Sequence, residues 1–359
     1  MQKWCEIKLY KLGKEYLEDI MIIIRKSINL LNFGISLSVL LLQSLFWVCV
    51  SLNQRNNQRA GIRYLRDNTV NMVDYFWGVH TIVELRLSLV KSAHQSESYL
   101  KWRFVAYPLF QQFMELWGTH DGEVILDYGC GPGNDLTGFL VHTNAKKVIG
   151  IDISEKALKI ASSRLALHNI DIDRVDLIKT SDGRKEIPLE NDSVDYIYCA
   201  GVLHHTTNPE HILKEFNRVL KPKGHAHIMV YNNDSLYFHL NVAYYSIILE
   251  RKFEGLNIYN AFSKSTDTED CPISRCYKHQ EFIQFCNSAD FKCEYIGGYF
   301  SEIELILYKK YINQAISDTR LGKEHRNFLK DLVSDRHGFP MYQNKHAGIG
   351  GVYKLIKWR

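Results

Sequence analysis

Asp127-Tyr128-Gly129-Cys130-Gly131-Pro132-Gly133 sets a carboxylate and three alternating glycines directly after the apolar run Val124-Ile125-Leu126. Alternating glycines remove the side chains that would hold a ligand away from the backbone, so this turn suits a bound cofactor. A second carboxylate, Asp152, closes Lys147-Val148-Ile149-Gly150-Ile151 and lies 19 residues after Gly133. An acidic side chain at the end of a second strand accepts hydrogen bonds from ribose hydroxyls, and Ile153 beside it is available to the base. A third carboxylate stands in Asp182-Gly183, after Val175–Lys179. His204 and His205 follow Cys199-Ala200-Gly201-Val202-Leu203. An imidazole titrates near neutrality and suits proton removal from an acceptor. His225 and His227 are two apart, hence on one face of a strand. Two ligands do not make a metal centre, and no metal is expected.

These residues need a scaffold that brings strand ends together. Val124–Leu126, Lys147–Ile151, Val175–Lys179, Val194–Cys199 and His225–Tyr231 read as strands. Between them, Asn134 to Val141 starts a helix, Ser154 caps one running to about His168, and Pro209–Leu220 carries the stripe Ile212, Leu213, Phe216, Val219, Leu220. Lys221-Pro222-Lys223-Gly224 should end that last helix. Alternating strands and helices make a parallel sheet with helices on both faces and a ligand at its C-terminal edge. The dinucleotide spacing G-x-G-x-x-G does not fit: its third glycine would fall on Asn134 or Leu136.

The Asp-x-Gly-x-Gly-x-Gly run, Asp152, Asp182 and Gly201-Val202-Leu203-His204-His205, in that order, resemble the class I S-adenosylmethionine (SAM) methyltransferases, in the branch of the ubiquinone and menaquinone C-methyltransferases. The resemblance covers roughly 110 residues, about one small domain. It implies an α/β Rossmann-like fold with a mostly parallel seven-stranded sheet whose last strand is antiparallel and inserted. It implies SAM as cofactor, held by Asp127, Gly129, Gly131, Gly133, Asp152, Ile153, Asp182, Gly183 and Ala200, with Asp182 on the adenine amino group. His204 or His205 is then the candidate base, and the pair is equally suited to shaping the pocket. The implied activity is methyl transfer to a small-molecule or lipid-like acceptor. Two other readings share the fold: a non-catalytic SAM-binding or membrane-attached partner subunit, and an aminopropyl transferase.

Composition narrows the acceptor. A net charge of +4 carries no strong basic patch, and nucleic acid is not expected. No Asn/Asp-Pro-Pro-aromatic run follows the fourth strand, and Cys271-Pro272 reverses the Pro-Cys order of cytosine C5 enzymes. The eight cysteines include no C-x-x-C and read as reduced thiols in a cytoplasmic catalytic domain. The chain divides into a hydrophobic segment over 1–60, a helical cap over 61–119 and the methyltransferase domain over 120–359, with a substrate insertion at about 232–276. Residues 27–54 carry no charge, and 14 of 20 residues over Phe33–Leu52 are apolar, long enough for a membrane anchor. A buried helix, a hairpin in one leaflet, or a start at Met72 are the alternatives. In the cap, Tyr99, Arg103 and Tyr107 are candidates to cover the cofactor, with Arg103 either pairing its carboxylate or, the favoured reading, solvated on an amphipathic helix. After the fifth strand, Tyr231 and Asn232 are placed to bind substrate, Ser263–Asp270 reads as a polar loop, and His337, Lys345, His346 and Gly348 as a solvated tail.

Overall fold

Five short apolar runs build the parallel half of one sheet: β1 (Val124–Tyr128), β2 (Lys147–Asp152), β3 (Val175–Lys179), β4 (Val194–Ala200) and β5 (Leu220–Asn232). The computed structural model describes residues 72–79, 90–182, 186–267 and 271–358. The sheet order is β3-β2-β1-β4-β5, and every neighbouring pair is parallel. Chain order reverses between β1 and β4, which opens a crevice at the C-terminal ends of those two strands. The centres of β1 and β2 are buried on both faces, as their unbroken apolar sequences require.

The far half of the sheet holds β7 (Phe291–Tyr299) and β11 (Gly350–Lys357), the latter between β5 and β7 and antiparallel to both. This is the inserted last strand that the sequence resemblance implies. An eighth strand, β6 (Cys276–Tyr277), pairs with the end of β5 and was not expected. β5 begins five residues earlier than the sequence suggests: Lys221-Pro222-Lys223-Gly224 lies inside it. The Lys-Pro-Lys-Gly run is accommodated by a register break against β4 between Val194 and Tyr196, where Pro222 needs no ladder partner.

Helices cover both faces. Asn134–His142 and Glu155–Leu167 pack on one, Pro209–Val219 and His279–Asn287 on the other. A third layer joins Tyr237–Leu249, a π-helix, to Glu302–Ser317 and Lys323–Lys330. The expected loop over Ser263–Asp270 is a correction: helix Ile258–Thr266, capped by Asn257, takes in its first half. The expected solvated tail is another. Lys345–His346 is strand β10, pairing with β9 (Pro340–Tyr342), which pairs with β8 (Val333–Ser334), and His346 Nε2 lies 3.0 Å from Asp335. Among the described residues no helix is long and apolar enough to cross a membrane, and residues 27–54 lie outside them.

Arg103, favoured as a solvated side chain, is mostly buried. From helix Ala93–Ala106 its two terminal nitrogens reach both carboxylate oxygens of Asp135, at 2.7 and 3.2 Å. Tyr198 donates to the same carboxylate at 2.9 Å. Burial alone would lower the Arg103 pKa, and Asp135 more than reverses it. Arg103→Met therefore leaves Asp135 without its cation, and the expected loss is about 3–5 kcal/mol of stability, read in denaturant unfolding.

Candidate active site

The turn after β1 owes its shape to glycine. Gly129, Gly131 and Gly133 all have positive φ, between 52° and 78°. Gly129 and Cys130 donate their N–H groups back to Ile151 O, folding the turn against β2. Asp152 then ties the turn from the other side: Oδ2 accepts from Gly131 N and Oδ1 from Ser154 N, each at 2.7 Å. Burial raises the Asp152 pKa, and the N–H groups of Ser154, Gly131 and Ile153 oppose that shift. Asp127 sits behind the turn. Its carboxyl takes the N–H of Leu136 at the start of helix Asn134–His142, while Oδ2 is buried with no partner. Burial, then Asp135 and Asp152, push its pKa well above the ordinary range.

A cavity of about 330 Å³ opens over this turn. Gly129, Gly131, Asp152, Ile153, Asp182, Ala200 and His205 line it, so seven of the residues singled out in the sequence meet at one wall. Asp127, Gly133 and His204 do not reach it, and Gly183 lies outside the described residues. Asp182 accepts from Thr207 N at 3.1 Å and from the Thr207 hydroxyl, which fixes its carboxylate beside the cavity. The cover differs from expectation. Tyr99, Arg103 and Tyr107 are absent from the wall, which is instead completed by Val73 and Trp77 of helix Met72–Val79. Asp74 of that helix anchors it by accepting from Asp182 N at 2.7 Å. No local pattern links residue 74 to residue 182; an aromatic in a short apolar stretch was the one available hint.

Fit to the adenosyl cofactor can be judged from the backbone. A Cβ on Gly131 would meet no atom within 4 Å, so the backbone there faces open space. A Cβ on Gly129 would overlap the Val202 side chain at Cγ2. The two glycines therefore separate packing from ligand approach. Gly129→Ala is expected to cost about 2–4 kcal/mol of stability from strain and overlap. Gly131→Ala should fold with a loss of about 1–2 kcal/mol, yet bind SAM more weakly because its methyl occupies the cavity. Thermal melting and calorimetric titration on the two variants check the contrast.

Beyond the cavity, the insertion brings a polar cluster onto the histidines. His205 Nδ1 lies 2.7 Å from Ile273 O, and a carbonyl only accepts, so Nδ1 carries the proton and Nε2 is the basic nitrogen. Nε2 faces Asp267 Oδ2 at 3.6 Å. Asp267 in turn accepts from Tyr231 Oη at 3.1 Å and Ser274 Oγ at 3.3 Å. Trp77 packs on the His205 ring at 4.7 Å between centroids. Burial lowers the His205 pKa, with Asp267 partly offsetting it. His204 is different: its ring lies 4.0 Å from those of both His205 and Tyr231, and both its nitrogens are buried without a partner. Burial holds it neutral. Asn232 is likewise buried, spending its amide on Asp234 O, Tyr295 Oη and Gly348 O. Sequence reasoning missed Asp267 because its partner lies 62 positions away in a segment of no clear periodicity.

A family profile described as a methyltransferase domain matches residues 119–264. A ubiquinone biosynthesis O-methyltransferase of Glaesserella parasuis is 25% identical over 178 residues, covering 50% of this chain and 69% of that protein. A second protein of that name, from Neisseria meningitidis serogroup A, is 31% identical over 123 residues, 34% of this chain and 50% of that one. Among solved structures, an S-adenosylmethionine dependent methyltransferase from Mesorhizobium loti is similar with TM-score 0.44 and 15% identity, over 69% of this chain and 97% of that one.

Proposed function

We propose that this chain, which belongs to the class I SAM-dependent methyltransferases and takes SAM as its cofactor, methylates a hydroxyl of a small-molecule or lipid-like acceptor. The observation that carries the choice of a hydroxyl is His205, a neutral imidazole on the cavity wall whose basic Nε2 faces a carboxylate. The relatives named as O-methyltransferases support the same choice. SAM, when bound, supplies a methyl group on a positively charged sulfonium, so the leaving group is already activated.

The chain's own residues then have three tasks. Gly129 and Gly131 give backbone access to the cavity, Asp152 would accept from the cofactor's ribose hydroxyls, and Ile153 and Asp182 would hold its adenine. Asp127 works through the turn, capping the helix that follows it. Val73 and Trp77 close the cavity against water. His205 removes the acceptor's proton at Nε2, and Asp267 stabilises the imidazolium that results.

The test is a panel of phenolic, quinol, lipid-hydroxyl and amine acceptors incubated with SAM, with S-adenosylhomocysteine release and methylated product followed by mass spectrometry. Turnover confined to hydroxyl acceptors is expected. Turnover confined to amines would overturn the O-directed reading and leave the cofactor assignment standing.

A further inference from the structure

A second cluster of ligating side chains lies toward the other edge of the sheet. His225 pairs in register with Tyr196, four residues before Ala200 on the cavity wall, which is about 13 Å along the strand. His225 and His227 project from one face of β5 with ring centroids 5.8 Å apart. The loop after Met114 brings Glu115 to them, and one ligand atom from each of the three lies within 4.8 Å of the other two. Glu115 Oε1 is 3.7 Å from His227 Nε2. Three donors on one tetrahedral zinc ion would stand about 3.4 Å apart.

The state of His227 points to a cation. Tyr196 Oη has one proton and gives it to Met114 O at 3.3 Å. The same oxygen lies 3.1 Å from His227 Nδ1 and holds the ring from that side. Nε2 is the ring nitrogen turned toward Glu115. It is fully buried, it has no hydrogen-bond partner, and it faces a carboxylate. Fixing the tautomer through the other ring nitrogen is how proteins orient a metal-binding histidine. Lys354, the cross-strand neighbour of His227 on β11, has its Nζ 3.5 Å from Glu115 Oε1 and is the ammonium that competes for this carboxylate.

We infer that Glu115, His225 and His227 form a binding site for a first-row divalent metal ion with Zn2+-like preferences, separate from the methyl-transfer cavity. Imidazole and carboxylate donors at this spacing suit Zn2+, Co2+ or Ni2+ rather than Mg2+ or Ca2+. With three protein donors, a fourth position remains for water. The ion would tie the Glu115 loop to the middle of the sheet.

The experiment is Zn2+ titration of the full chain against a chromophoric chelator, with Co2+ absorption as the second readout. One ion per chain is expected at this site, and Glu115→Gln or His225→Asn should weaken it by at least about tenfold, the lower end of what even an outer partner is worth. Lys354→Met should tighten it, since a competing ammonium is gone. His205, Asp267 and Cys271 also lie close together. Cobalt there would show thiolate charge-transfer absorption, whereas Glu115, His225 and His227 carry no sulfur. No Zn2+ uptake, uptake with a thiolate band, or uptake indifferent to Glu115→Gln would each overturn the assignment. Glu115 is half-exposed at the surface, so its variant tests the site without emptying the core.

Discussion

Asp152→Ala is expected to abolish measurable SAM and S-adenosylhomocysteine binding while the protein still folds. Two ribose hydroxyls bonded to a carboxylate are worth about 3 kcal/mol or more together, at least about a hundredfold in Kd. The loss is larger here because the same carboxylate holds Gly131 N and Ser154 N, so the backbone face of the cofactor site loosens with it. Asp152→Asn should not rescue binding: both oxygens accept from N–H groups, and an amide would turn an NH2 against one of them. Stability is spared for a separate reason. The folded pKa of Asp152 is raised above its ordinary 3.8 by burial. Its contribution is thus fully favourable below that value and is lost as pH rises through the folded pKa. Calorimetry paired with thermal melting reads both arms. Full-strength binding by Asp152→Ala would sink the cofactor geometry.

The second large effect concerns His205. His205→Ala should lower kcat by about 10²–10⁴, the usual worth of a positioned general base, with the SAM Kd almost unchanged. The acid limb of the wild-type pH–rate profile should lie below pH 6.5, because burial lowers the imidazole's pKa from that value. Asp267 raises it, so Asp267→Asn should move that limb to still lower pH and reduce kcat. A limb that stays put in Asp267→Asn would show that the carboxylate merely packs against the insertion. His204→Gln offers the contrast, since that ring is enclosed by His205 and Tyr231 and should affect folding more than the pH profile.

The glycine turn and Asp152 were legible because each depends on a short-range pattern, alternating glycines and an acid after an apolar run, and the inserted last strand followed from the family resemblance. What escaped detection was assembled across long separations. Arg103 looked solvated because helical periodicity says nothing about Asp135, 32 positions away on helix Asn134–His142. Asp74 meets Asp182 across 108 positions, Trp77 meets His205 across 128, and Glu115 reaches His227 across 112. Asp267 meets His205 only because the insertion folds back over the strand ends. In each case the sequence shows one half of a pair and holds no signal for the other. The break of β5 at Pro222 misled in the opposite way: a strong local stop signal was overridden by a register shift within the sheet.

The position of β11 carries a consequence for how the protein is made. The strand that separates β5 from β7 is formed by residues 350–357, which are synthesised after both of its neighbours. While the ribosome still holds them, β5 and β7 each present an open edge, and the sheet has no way to close in its final order. Completion of the sheet is thus deferred until residues 350–357 have emerged, and in that interval two unsatisfied strand edges are exposed to any neighbouring nascent chain.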